Sequence, residues 1–206
     1  MIAIIIPSRG FIFTDVISAI EDEKKYFYDE VKIFTCSLQI PDSFNILTEK
    51  ALAEGATHLW YIEEDTVPVK GSLRKLIFSS ADIAFVDYGV NGYSCSAKDK
   101  LGKILWAGLG CTMVKSYVFE KLDKPWFRTD KSLRLNDMKW TDNKMGYGGQ
   151  DIYFYTKAKE AGFKIEQIMG ECRHLKLESM GKSEINNGLH KIVEKPKISK
   201  YQIINL

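Results

Sequence analysis

The sequence predicts an α/β fold: a single domain with a central, mostly parallel sheet, helices on both faces and a small antiparallel part. Three observations carry this. "IAIII" (Ile2 to Ile6) and "DIAFVDY" (Asp82 to Tyr88) are apolar runs of the kind made by strands covered on both faces. Apolar runs and helical repeats alternate β-α-β-α-β-α-β as far as Tyr88, an order that implies parallel strands joined by crossover helices. No linker or internal repeat divides the 206 residues, so residues 1–206 form one domain, long enough for a proper core.

The elements follow in order. After the first strand, "PSRG" breaks the chain. Phe13, Val16, Ile17 and Ile20 then recur at helical spacing, with Thr14 or Asp15 as the cap. "VKIFT" alternates as a second strand. In "PDSFNILTEKALAEG", Asp42 or Ser43 can cap a helix whose apolar face is Phe44, Leu47 and Ala51, and Gly55 stops it. "THLWYIE" is the third strand. Ser72 starts a short helix with Leu73, Leu76 and Ile77, before the strand ending at Tyr88. "YGVNGYSCSAKDKLGK" reads as a loop and "ILWAGLGCTMVK" as strand, glycine turn, strand. Ser116 caps the short helix "SYVFEKL". Asp123 to Met145 lacks a clean period and reads as a long active-site loop. "GGQDIYFYTKAKEAG" is a helix stopped by Gly162, "FKIEQIM" is a strand, and a polar, lysine-containing segment occupies about residues 175–206.

Composition narrows the function classes. The chain is 45% hydrophobic and 27% charged, with a net charge of +2. That balance speaks against a strongly electrostatic nucleic-acid binder. Cys36, Cys95, Cys111 and Cys172 form no CxxC pair and match no zinc or disulfide framework. They read as reduced, mostly buried thiols, which favours a cytoplasmic protein. "MIAIIIPSRG" lacks the basic region and cleavage site of a signal peptide, and no run approaches the ~20 apolar residues of a membrane span. Lys191, Lys195, Lys197 and Lys200 leave open a peripheral contact with a membrane surface.

The apolar run His58 to Ile62 ends in Glu63, Glu64 and Asp65. In open α/β sheets, ligands bind beyond the carboxyl ends of the strands. Like charges this close are costly unless a cation or solvent offsets them. Carboxylates one residue apart can turn to the same side and offer hard oxygen ligands to Mg²⁺ or Mn²⁺, which in turn can hold a diphosphate. The competing reading is a solvated turn at a strand end.

Several ordered segments resemble the GT-A glycosyltransferases, especially family 2-like enzymes, from Ile2 to about His174. "IIIPSRG" is similar to the family's opening strand and nucleotide-side loop, and "FNILTEKALAEGATHLWYIEEDTVP" to its helix, strand and DxD segment. "AGLGCTMVKSYVFEKL" looks like the segment backing the sugar and acceptor pocket, "GGQDIYFYTKAKEAGFKI" like the GEDxxF helix start, and "ECRHL" like the late histidine segment. The resemblance implies a GT-A fold and a hexosyltransferase-type activity dependent on Mn²⁺ or Mg²⁺. Glu63, Asp65 and His174 take the metal positions, and Asp151 is the catalytic base of an inverting enzyme. Here Glu63 replaces the usual aspartate, and Gln150 replaces the usual acid before Asp151.

The implied donor is a nucleotide-diphosphate sugar, a UDP- or GDP-sugar, met by Pro7, Ser8, Arg9, Asn45, Glu63 and Glu64. Trp106, Gly108, Gly149 and Gln150 are expected at the sugar and acceptor pocket. Lys50 is a further nucleotide candidate, and Trp126 and Trp140 are candidates for the acceptor side. Each has a plainer reading: Asp151 as a helix-start aspartate, His174 as a hydrogen-bonded structural histidine, Arg9 as an exposed loop cation, and the tryptophans as core. His58 and His190 receive no role. The acceptor is a glycan, lipid, protein, small molecule or modified nucleic acid. A sugar nucleotidyltransferase and a non-catalytic nucleotide-sugar-binding module are the rival readings. "PSRGFIF", with one glycine, lacks the triphosphate cradle that the first of these requires.

Overall fold

The computed structural model describes residues 1–27, 30–134, 139–143, 149–179, 190–194 and 197–204. The chain opens with β1 (Ile2–Pro7), α1 (Thr14–Lys24), β2 (Val31–Cys36), α2 (Asp42–Ala53) and β3 (His58–Ile62). A two-residue β4 (Thr66–Val67) precedes α3 (Ser72–Ile77) and β5 (Ile83–Val90). Then come β6 (Tyr93–Asp99), β7 (Ile104–Ala107), β8 (Cys111–Lys115) and α4 (Ser116–Lys121). A hairpin of β9 (Lys131–Arg134) and β10 (Lys139–Asp142) leads to α5 (Gln150–Glu160), β11 (Ile165–Ser179), β12 (His190–Glu194) and β13 (Lys200–Ile204).

The central sheet runs β12-β11-β5-β8-β3-β1-β2. β2, β1 and β3 are parallel neighbours, as are β5 and β11. β8 runs antiparallel between β3 and β5 and joins the two parallel groups. The apolar run of β1 is explained by its two buried faces. Ala3 and Ile5 pack with Phe44, Leu47 and Ala51 of α2. Ile2, Ile4 and Ile6 pack with Val16 and Ile20 of α1 and Leu73 and Leu76 of α3. A strand between two helical layers has no polar side to alternate. Each fully buried isoleucine contributes about 2 kcal/mol relative to exposure.

α3 is fixed by a distant acid. Glu23, 3% exposed, accepts from the amides of Gly71 at 2.5 Å and Leu73 at 2.9 Å. These are among the unpaired N–H groups that every helix start presents.

The structure departs from the sequence expectations in four places. Residues 93–99 form β6 rather than loop; the strand pairs with β5, β7 and β13, and its partners outweigh its polar composition. The expected Asp123–Met145 loop contains the β9–β10 hairpin, and its residues 135–138 and 144–145 lie outside the described residues. β11 continues ten residues past the expected end at Met169, and the polar segment after it contributes β12 and β13. Residues 180–189, 195–196 and 205–206 of that segment lie outside the described residues. The expected caps are displaced as well. Phe13, Pro41 and Lys115 occupy the N-cap positions of α1, α2 and α4, without side-chain cap bonds. Thr14, Asp42 and Ser116 begin these helices instead.

Candidate functional site

The site is assembled where β3 ends. The chain turns at the acids, with Thr66 N donating to Glu63 O at 3.1 Å, and β4 begins. β4 pairs antiparallel with β11, placing Thr66 opposite His174 and Val67 opposite Arg173. Leu175 N donates to Asp65 O at 2.8 Å. This pairing brings a histidine more than a hundred residues downstream onto the acidic turn. β11 reaches it through a register shift between Ile168 and Glu171, where Gly170 has φ of 146°.

Glu63, Asp65 and His174 each present a ligand-type atom, and these atoms lie within 4.8 Å of one another. His174 is buried, with Nε2 3.2 Å from Asp65 Oδ1. Its Nδ1 is buried and has no hydrogen-bond partner among the described residues. Glu63 Oε2 accepts a 3.0 Å bond from the Tyr88 hydroxyl. Glu63 keeps a partly open face, yet burial of its carboxyl, followed by repulsion from Asp65, pushes its pKa up to about 8. The Tyr88 bond opposes the rise; the charges of Asp151 and Glu64 add to it.

Glu64 turns the other way. It accepts from the Arg9 backbone amide at 2.6 Å and from Arg9 Nε. Arg9 Nη2 donates to Asp65 Oδ2 at 3.2 Å. Burial opposes protonation of Arg9, but the Glu64 bond and the three acids hold its guanidinium above its ordinary pKa. The protein's own cation thus offsets Glu64 and part of Asp65, while Glu63 is left with a proton-favouring environment. Two carboxylates and an imidazole form a hard, mixed O/N donor set that fits Mn²⁺ or Mg²⁺.

A cleft of about 600 Å³ opens on this cluster. Pro7, Ser8, Arg9, Glu63, Glu64, Asp65 and His174 all line it, so the structure gathers seven of the expected residues into one wall. The more apolar part of its lining comes from the loop after β2 and the start of α2: Leu38, Ile40 and Phe44, with Gln39 and Ser43. Ser43 Oγ is buried without a partner among the described residues. Ser8 is bound within its own turn, its hydroxyl donating to Phe11 O at 2.8 Å and accepting from Gly10 N at 3.0 Å.

Asp151 lies in the first turn of α5, after Gly149 in the left-handed region at φ 80°. Its carboxylate accepts from Ile152 N at 2.8 Å. Burial raises its pKa to about 6 against the pull of backbone N–H groups. Its charge adds to the raised pKa values of Glu63, Tyr88 and Cys95, while Gly149, Gln150 and Asp151 are not among the residues that line the cleft. Gln150 is buried, and its Oε1 has no partner among the described residues. Gly148 of the same motif lies outside the described residues.

Other expected residues lie away from the cleft wall. Asn45 spends its amide on structure: Oδ1 accepts from Trp126 N at 3.1 Å and Phe127 N at 3.2 Å, and Nδ2 donates to Phe127 O at 3.0 Å. Trp106 is 8% exposed and packed in the core, so it offers no free face to a sugar. Trp126 is buried too, its Nε1 donating to Phe119 O and Leu122 O. Trp140 packs on Tyr153 at 5.4 Å. Tyr153 follows Asp151 by two residues, a spacing that points side chains to opposite sides of a helix. Lys50 lines a different groove between α2 and α4. Gly108 lies under Tyr88: a Cβ there would collide with the Tyr88 hydroxyl and come within 2.7 Å of Cys95 Sγ. Tyr88 and the apolar part of the cleft escaped the sequence reading. A phenol at the carboxyl end of a buried strand was the available signal for Tyr88.

The mixed α/β sheet, its antiparallel insertion and a cleft at the carboxyl edge make up a GT-A-like fold. No family model matches the chain, and no curated protein matches it by sequence. Among solved structures, A197 from STIV superposes with a TM-score of 0.60 at 16% identity, covering 95% of this chain and 94% of that one. The catalytic domain of Drosophila beta1,4galactosyltransferase 7, in complex with xylobiose, superposes with a TM-score of 0.51 at 16% identity. That match covers 81% of this chain and 63% of the galactosyltransferase chain. At such identity the likeness establishes the fold. No helix among the described residues is long and apolar enough to cross a membrane.

Proposed function

We propose that the chain is a divalent-cation-dependent glycosyltransferase that takes a sugar from a nucleoside-diphosphate sugar. One observation carries this reading: Glu63, Asp65 and His174 converge in the lining of a cleft of about 600 Å³ on a GT-A-like sheet, and the charge of Asp151 acts on Glu63. Glu63, Asp65 and His174 would hold Mn²⁺ or Mg²⁺, which would supply positive charge against the departing diphosphate. Arg9, more than half exposed and lining the same cleft, adds a planar cation suited to phosphate. The apolar part of the cleft takes the nucleoside. Asp151 accepts the proton of the acceptor hydroxyl while that oxygen attacks the anomeric carbon. The bond from that carbon to the diphosphate breaks, and the configuration inverts. The raised pKa of Asp151 suits a base that must both take and release a proton near neutral pH.

The test is release of nucleoside diphosphate from a panel of UDP- and GDP-sugars with Mn²⁺, where water serves as a slow acceptor. The wild-type chain is expected to consume at least one donor. Asp151→Asn is expected to lose roughly 100- to 10,000-fold in turnover while donor affinity stays within about twofold. No consumption of any donor, or normal turnover by the variant, contradicts the proposal. Stabilisation by nucleoside triphosphates alone would point to the nucleotidyltransferase reading.

A further inference from the structure

We infer that Tyr88 is the positioning residue of the cation site: its hydroxyl holds Glu63 in place through a gap that Gly108 and Gly110 keep open. The inference rests on the cation reading above. It concerns how this chain uses an acid one methylene longer than the aspartate of its resemblance.

Tyr88 belongs to β5, and Glu63 follows β3. These strands are not neighbours, because β8 runs between them. The Tyr88 hydroxyl nevertheless donates to Glu63 Oε2 at 3.0 Å. Its route passes over the turn that leads into β8. There a Cβ on Gly108 would run into the Tyr88 hydroxyl, and a Cβ on Gly110 would lie 2.8 Å from the Tyr88 ring and 2.8 Å from Thr66 Oγ1. Neither glycine has the positive φ that would explain it by backbone shape. Their missing side chains are explained by the ring crossing above them.

The ring is fixed on its other sides. Tyr88 is 3% exposed. Its centroid lies 5.3 Å from that of His174, at 59°, and the Cys95 thiol meets its hydroxyl. One phenol therefore touches two of the three ligand-type side chains. The bond occupies Oε2 of Glu63 and leaves Oε1 for a cation. Hydrogen bonds of this kind to a ligating carboxylate set its orientation, and their loss typically weakens metal binding 10- to 100-fold. The glycine-bearing segment thereby acquires a second role, as the seat of a tyrosine behind the cation.

Mn²⁺ titration followed by electron paramagnetic resonance, alone and with UDP, tests this on wild type, Tyr88→Phe, Glu63→Asp and the double variant. Tyr88→Phe keeps the ring, and about tenfold weaker Mn²⁺ binding is expected, with the metal-free melting temperature shifted far less than the Mn²⁺-induced stabilisation. In the Glu63→Asp background, where the shorter arm has already lost the bond, adding Tyr88→Phe is expected to change Mn²⁺ affinity less than twofold. Glu63→Asp alone reads the same contact from the acid's side and requires no change to the buried ring. Wild-type affinity in Tyr88→Phe, or affinity at or above wild type in Glu63→Asp, overturns the inference while leaving the cation reading intact. Absence of Mn²⁺ binding by the wild-type chain overturns both.

Discussion

Asp151 occupies a position where two effects compete. The first turn of a helix ordinarily favours an ionised aspartate, and Ile152 N does donate to it. Burial outweighs these donors and lifts the pKa from 3.8 to about 6. As a base, Asp151 works only when deprotonated. Turnover is therefore predicted to fall about tenfold per pH unit below pH 6, measured with saturating donor and Mn²⁺. Stability has the opposite sense. Between about pH 4 and 6 the folded chain keeps a proton that the unfolded chain has released, so this group's contribution is lost as pH rises through that window. Asp151→Asn is predicted to flatten that stretch of the stability profile and to raise the metal-free melting temperature at pH 7.5; thermal unfolding across pH reads both. Glu63 and Asp65 were legible in the sequence for a local reason, as the acids that end an apolar run. Asp151 was singled out by the resemblance, since an aspartate that opens a helix has a plain structural reading. Asn45 misled because its partners at Trp126 and Phe127 are some eighty residues away. On a helix face such a side chain looks the same whether it ties loops together or meets a ligand.

At the scale of elements, strands buried on both faces and helices with one apolar stripe were readable. β1, β3, β5 and α2 follow directly from their residue patterns. β6 and β12 are held by the strands next to them in the chain, β13 by the distant β6, and the second half of β11 by β4, β5 and β12, and their own composition does not announce it. The same holds for β4, two residues whose pairing with β11 delivers His174 to Asp65. The β7–β8 turn gives the element-scale prediction. In Gly110→Ala the new methyl must displace the Tyr88 ring or Thr66, both of which are buried. Overpacking of this kind costs typically 1–3 kcal/mol, read as a lower urea midpoint. Mn²⁺ affinity should fall with it, because the Tyr88 hydroxyl moves off Glu63. An alanine variant with wild-type stability and Mn²⁺ affinity would mean that the ring has slack.

Across the whole molecule, one edge of the sheet collects the chemistry. The end of β1 and the loop after it, the loop after β2, the start of α2, the turn between β3 and β4, and β11 all deliver side chains to the same cleft. The alternation of strands and helices made that edge predictable. The antiparallel β8 places Tyr88 one strand away from the acid it holds, an arrangement that no local pattern reveals. The acid–imidazole cluster and the cleft are proposed to act together as a cation-linked nucleoside-diphosphate site. Thermal unfolding with UDP or GDP, in the presence of Mn²⁺ and again with the metal chelated, tests it most directly. At about 100 times the Kd, a ligand confined to the folded state stabilises by about 2.7 kcal/mol, or several degrees for a chain of this size. A shift of that order is expected for at least one diphosphate with Mn²⁺, with its loss on chelation and its loss in Asp65→Ala. No shift with either nucleotide, or the same shift with the metal removed, would contradict it.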